Sequence, residues 1–320
     1  MRRLWAGRRF SIPCCARTMT PMRSRSSFRS PRILLRFAVA NLAMMSLAAA
    51  ENPVSKPVPR RIIAIAPNSA EIICALGACD AVVGAGKFCV FPPELKNRPQ
   101  IGGLYDPDLE KIIALRPDLL VTRGRNESLE RLCEQSMIPI YHDETDTLAG
   151  IENGVRELGS VLNRCAEAER LVADFRLRLD AVRTRIRGKD RPRVMLTVAR
   201  QPDRLANILT TGRGTFLDEM IAVAGGVNIF GDIDMIYPEV SPEAILAKQP
   251  QVIIEMMPEV VLTDELAARM GEQWRRLGTI PAVAENRVYF VTDENGLIPS
   301  PRYAEFIEKI SRLFHPENER

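Results

Sequence analysis

Histidine is nearly absent from this 320-residue chain, which has only His142 and His315. That scarcity excludes the sites that gather several imidazoles around a free zinc or manganese ion. There is no C-x-x-C pair, which removes a zinc ribbon and a thioredoxin-like redox motif. Nor is there a G-x-S-x-G, an H-E-x-x-H, a G-x-x-x-x-G-K or a Rossmann glycine fingerprint. Gly212-Arg-Gly-Thr215 has the glycines of a phosphate loop without its lysine. Hydrolytic, phosphoryl-transfer and redox chemistry therefore have no foothold, and the expectation is a protein that is not an enzyme, with no catalytic residue and no resident metal or cofactor.

Residues 1–50 lack acidic side chains altogether and carry ten arginines. Setting them aside leaves 34 basic against 40 acidic residues, a net charge near −6. A nucleic-acid partner needs a basic footprint that this body does not have. The order of the N-terminal features is positive, then apolar (Ile33–Leu35, Phe37–Ala50), then small (Ala48-Ala49-Ala50) before Glu51-Asn52-Pro53. That is the order of a secretory signal. Residues 1–50 are read as a leader and 51–60 as a linker, which predicts a periplasmic protein. Met19 or Met22 are alternative starts, and an uncleaved anchor is the competing reading. No cysteine stands at the cleavage point to take a lipid. Cys74, Cys79, Cys89, Cys133 and Cys165 remain, an odd number that argues against a fully paired framework. Cys74, in an apolar helical stretch, reads as core packing.

What the body does have is an internal repeat. Asp108-Leu-Glu-Lys-Ile-Ile-Ala-Leu-Arg-Pro-Asp-Leu-Leu-Val-Thr122 parallels Ser241-Pro-Glu-Ala-Ile-Leu-Ala-Lys-Gln-Pro-Gln-Val-Ile-Ile-Glu255. Each copy predicts a capped short helix, a proline that closes it, and a buried strand. Half of an α/β unit occurring twice implies two similar lobes. Ile62–Ile65 and Val194–Val198 open them as strands, and Ile138–Tyr141 and Val288–Val291 supply a late strand in each. Asn68 and Glu71 suggest a capping box for a helix that Gly77 ends, and Thr215 caps a second helix that stops at Gly225-Gly226. From Thr147 to Arg187, apolar residues recur at helical spacing without a proline, which predicts one long helix over 147–188. Two helices turning near Asn163 are the alternative. The lobes are then residues 61–146 and 189–320, and a stiff bridge between them predicts limited hinging.

Arg61–Glu71, Phe91-Pro92-Pro93, Gly102-Gly103, Asp108–Asp118, Tyr237–Leu246 and Ser300-Pro301-Arg302, in that order, resemble the iron-siderophore and cobalamin substrate-binding proteins of ABC importers. The resemblance covers nearly all of residues 60–315. It implies two Rossmann-like α/β lobes bridged by one long helix, a ligand cleft between them, and a monomer. It also implies Glu110 and Glu243 as the pair that docks on the permease and, through it, on the ATPase. Phe88, Tyr105 and Tyr237 correspond to cleft-lining positions. Arg123, Arg125, Arg200 and Arg302 are candidates to meet ligand oxygens with a guanidinium fork. Phe91, beside two prolines, reads as loop packing. The implied ligand is a metal chelate, a ferric siderophore first or a corrinoid; haem and oxyanions share the scaffold. A sensor or adaptor with the same cleft is the alternative function.

Overall fold

In the computed structural model, which describes residues 57–258 and 260–316, the repeat becomes two sheets. The leader expectation for residues 1–50 lies outside the described residues. The first half runs β1 (Ile62–Ala64), α1 (Pro67–Ala75), β2 (Val82–Ala85), α2 (Leu109–Ala114), β3 (Leu119–Arg123), α3 (Glu127–Ser136) and β4 (Ile140–Asp143). Its sheet is wholly parallel, in the order β2-β1-β3-β4. Two helices follow, α4 (Leu148–Val161) and α5 (Cys165–Arg185). The second half runs β5 (Arg193–Ala199), β6 (Ile208–Thr210), α6 (Phe216–Val223), β7 (Val227–Asn228), β8 (Glu239–Val240), α7 (Pro242–Lys248), β9 (Val252–Met256), α8 (Asp264–Arg275), α9 (Pro281–Ala284), β10 (Val288–Val291) and α10 (Tyr303–Phe314). Its sheet is ordered β10-β9-β5-β6-β8, with β7 also on β5 and β6 antiparallel to both neighbours. Pro59–Arg320 forms one compact unit that contains both sheets.

The repeat persists down to single hydrogen bonds. The Asp108 and Ser241 side chains each accept the amide of the third helical residue, Lys111 and Ala244. Arg116 and Gln249, each directly before a proline, adopt positive φ, so each helix has stopped before the ring is reached. The Arg61 amide donates to Asp118, and the Arg193 amide donates to Gln251 at the matching position. The guanidinium of Arg61 then caps the carbonyls of Leu115 and Arg116 that end α2, and that of Arg193 reaches Lys248 O at the end of α7. Positive charge at a helix C-terminus also favours the helix dipole.

The long helix expected over 147–188 is two. Asn163 takes φ +55, and the chain reverses between Leu162 and Arg164. Gly159 has no side chain because a Cβ there would lie 2.5 Å from Ala168 Cβ, so the legs meet closely. Leu148 and Ile151 of α4 and Phe175, Leu179 and Val182 of α5 join the core of the second half. Val155, Leu158 and Leu162, then Ala168 and Val172, join the core of the first. Each leg therefore crosses both cores, in opposite directions. Periodicity could not show the break, because both legs face the same two surfaces.

Other local expectations are also corrected. Ala66, not Asn68, is the N-cap of α1, and no side chain caps it. Cys74 packs against the first core as the sequence indicates and is in addition bonded to Cys79, which ties the last turn of α1 to the approach of β2. Cys89 and Cys133 are buried thiols, and burial pushes Cys89 up to about 12. Gly77 at φ +76 and the Thr215 cap on Asp218 N stand as the sequence indicates. Among the described residues no helix is long and apolar enough to cross a membrane.

Candidate functional site between the lobes

Ligands of open parallel sheets sit outside the strand C-termini, and here those two edges meet. From the first lobe, the loops after β1, β3 and β4 reach across. Ser300 Oγ and Arg302 donate to the Glu71 carboxylate at 2.6 Å each. Asp146 O accepts the Phe216 amide at 2.7 Å, and Arg123 lies over the Phe216 ring at 5.9 Å. Glu219 accepts the Leu148 amide at 2.6 Å. Phe216 and Tyr303 pack edge to face at 5.2 Å under this seam. These contacts join the lobes along the seam at which the family resemblance expects the ligand cleft.

The sequence candidates divide sharply on this frame. Tyr105 is 92% exposed on the long loop after β2. That loop turns at Gly102 (φ +83), where a Cβ would come within 2.3 Å of Asp106 O. Phe88, on the same loop, is also exposed, with the Lys87 ammonium 5.3 Å from its ring centre. Tyr237 is half-buried against the second core. Burial raises its phenol, and the Arg123 charge offsets part of that rise. Exposed Met235 and Ile236 adjoin it, and Val260 and Val261 are exposed after β9.

All four candidate arginines already hold a carboxylate. Arg123 meets Asp146 at 2.6 Å, and Arg302 meets Glu71 at 2.6 Å. Arg125 is 82% exposed with Glu130 at 3.6 Å. Arg200 is a correction: its side chain is 2% exposed, ion-paired with Glu255 at 2.7 Å and hydrogen-bonded to Gln273. Trp274 Nε1 completes that buried group by donating to Glu255 at 2.7 Å. Glu255 occupies the repeat position that Thr122 fills in the first lobe, and a buried carboxylate needs a cation. Arg200 is spent on that need and offers no face to a ligand.

Sequence reasoning missed Glu71 and Phe91. Glu71 is 5% exposed and serves the opposite lobe rather than its own helix. Asn68 likewise turns from the helix end to Asp143 and Thr145. Phe91 lies over the Arg302 guanidinium at 3.8 Å. No local window could show a pair separated by 231 residues. Glu110 and Glu243 are exposed second residues of α2 and α7, with no ion pair among the described residues. A hydrogen bond from Ser241 lowers the Glu243 carboxyl. Each helix precedes a strand parallel to the one before it, so both glutamates stand at the strand C-terminal edge of their own sheet. No cluster of three or more metal-ligating side chains occurs among the described residues.

A family model for periplasmic binding proteins matches residues 62–294. The chain belongs to that family. A vitamin B12-binding protein of Vibrio cholerae is 30% identical over 261 residues, covering 80% of this chain and 90% of its own length. The crystal structure of the periplasmic vitamin B12-binding protein BtuF of Vibrio cholerae superposes with a TM-score of 0.69 at 26% identity, covering 82% of this chain and 99% of that one. The apo periplasmic heme-binding protein RhuT of Roseiflexus sp. RS-1 gives 0.67 at 27%, covering 80% and 98%. This periplasmic binding protein thus has the two-lobed α/β architecture of its relatives, with a helical hairpin along both lobes.

Proposed function

We propose that this protein is the solute-capturing component of an ABC importer, exported to the periplasm and working there as a monomer. Its cargo on this reading is a corrinoid, and it carries out no catalysis. One observation carries the choice of ligand: Arg123 and Arg302 are engaged by Asp146 and Glu71 and Arg200 is buried, which leaves Arg125 as the one exposed guanidinium of the four, while Phe88, Tyr105, Met235, Ile236 and Val261 are exposed. An anionic chelate, a ferric siderophore with carboxylate or hydroxamate arms or a haem with two propionates, calls for free guanidinium forks. A corrinoid presents a broad apolar ring edged with amides, which hydrogen bond without demanding an unpaired charge. On this reading the corrinoid is placed ahead of the ferric siderophore that the sequence resemblance put first. The vitamin B12-binding relatives support this order, and the haem-binding relative names the rival. Delivery would run through Glu110 and Glu243, one exposed carboxylate on each lobe, meeting cations of the permease.

The test is a thermal-shift and calorimetric titration of the exported chain with cyanocobalamin, haemin and a ferric hydroxamate. A ligand present at 100 times its Kd adds about 2.7 kcal/mol of apparent stability. Cyanocobalamin should raise Tm, and the two anionic chelates should not. Stabilisation by haemin alone would overturn the corrinoid assignment.

A further inference from the structure

Glu71 stands on α1 of the first lobe, and Ser300 and Arg302 stand just before α10 of the second. Three hydrogen bonds join them: Ser300 Oγ and Arg302 Nε to Oε2, at 2.6 and 3.3 Å, and the second Arg302 donor to Oε1 at 2.6 Å. The carboxylate is buried, and the guanidinium keeps 22% exposure. The Phe91 ring, itself partly exposed, lies 3.8 Å from the guanidinium and shields its face. Arg123, by contrast, faces an exposed carboxylate within its own lobe. Ser69, two residues from Glu71, binds Asp143, which anchors the start of α1 in its own lobe. The link is thus fixed at one end in each half of the molecule.

We infer that Glu71, Arg302 and Phe91 form a latch across the seam between the lobes that holds the ligand-free lobes at their closed spacing. The physical reason is that separating the lobes would take from the Glu71 carboxylate all three of these hydrogen bonds, two of them donated by its cation. The latch also fixes the position of Arg302, so Glu71 is a positioning residue that acts through the arginine. This role concerns the empty protein and does not depend on which ligand it carries.

The experiment measures lobe spacing without any ligand. Spin labels on Ser128→Cys in α3 and Glu265→Cys in α8 report the distance distribution by pulsed electron resonance. The latch is then altered by Glu71→Gln, by Arg302→Gln and by both together. Each single variant should shift weight to a longer, broader distribution, raising the open-to-closed ratio about tenfold or more, as the loss of a charge-assisted hydrogen bond implies. The double variant should open no further than the more open single one, because the two groups act as one unit. Phe91→Leu, which leaves the buried carboxylate paired, should produce a smaller shift in the same direction and guards against an Arg302 variant that fails to fold. Distributions indistinguishable from the parent in Glu71→Gln and Phe91→Leu would overturn the latch, and so would additive opening in the double variant. Cyanocobalamin titration fails or succeeds separately, so a wrong ligand leaves this result untouched.

Discussion

The two lobes share one capped helix, α2 or α7, and differ in almost everything their exposed loops carry. α2 and α7 have the same cap, the same second-position glutamate, the same left-handed stop and the same arginine on their last carbonyls. The exposed loops show no such likeness. The first lobe offers Phe88, Phe91 and Tyr105, and the second offers Met235, Ile236, Val260 and Val261. Their buried carboxylates differ too. Glu255 has a cation in its own lobe, Glu71 has one from the other lobe, and Asp143 is held by the neutral donors Asn68 and Ser69. If the paired glutamates dock on a permease, as proposed, a surface that presents the same chemistry twice has reason to stay alike, and a cleft for one asymmetric molecule has none.

The strongest challenge to that equivalence is to reverse both helices. Glu110→Arg with Glu243→Arg should abolish uptake in cells while leaving ligand titration of the purified protein nearly unchanged. Like charges placed across an interface cost several kcal/mol and slow encounter. Each single change should give an intermediate defect, as two equivalent contacts require. Normal uptake by the double variant would remove the docking role, and equal loss of ligand binding would put the glutamates in the cleft.

The next effect belongs to the second lobe alone. Arg200→Ala should destabilise the protein by about 3–5 kcal/mol, because Glu255 then stays buried without its cation. Urea unfolding followed by circular dichroism measures it. Replacing Arg200 and Glu255 together by Met and Leu should recover most of the loss. A cost below ~1 kcal/mol for Arg200→Ala would return the arginine to the pool of ligand contacts.

That same arginine marks where sequence reading stopped. Strands, caps and the repeat were legible because each depends on residues within one window: Asp108 caps Lys111, and Gly77 ends α1. The hairpin was not, since Asn163 interrupts a periodicity that continues in phase on the second leg. The site was half legible. Loop position exposes Tyr105 and Phe88, and the repeat singles out Glu110 and Glu243. Whether an arginine is free or paired depends on a carboxylate tens to hundreds of residues away, so Arg200 and Arg302 looked alike in sequence and have different roles in the fold.

Asp143 sharpens the contrast between paired and unpaired carboxylates. Burial raises it to about 6, against the lowering from Ser69, Arg123 and Asn68. The folded state therefore holds a proton at pH values where the unfolded chain has released it. Stability from this residue is present below the unfolded value near 3.8 and is lost as pH rises through about 6. Two units of difference correspond to about 3 kcal/mol at most. Asp143→Asn should remove that slope, so the stability difference between variant and parent should grow between pH 4 and pH 6. A difference that stays constant across that window would mean that Asp143 titrates normally.

The smallest effects separate the two tyrosines, and they bear most directly on the asymmetry between the lobes. Tyr105 is almost fully exposed and touches no core, so Tyr105→Ala should leave the unfolding midpoint where it is. Its only loss should be in ligand affinity, about 1–3 kcal/mol if the ring becomes a buried anchor in the complex. Tyr237 packs against the core that holds Phe216 and Tyr303. Tyr237→Ala should therefore cost both stability and affinity, while Tyr237→Phe, which keeps the ring and removes only the hydroxyl, should restore most of the stability. Denaturant midpoints and calorimetric titration on the same preparations read both quantities. If Tyr105→Ala lowers stability as much as Tyr237→Ala, the exposed loop is part of the scaffold. The difference between the lobes would then lie in packing, with no bearing on capture.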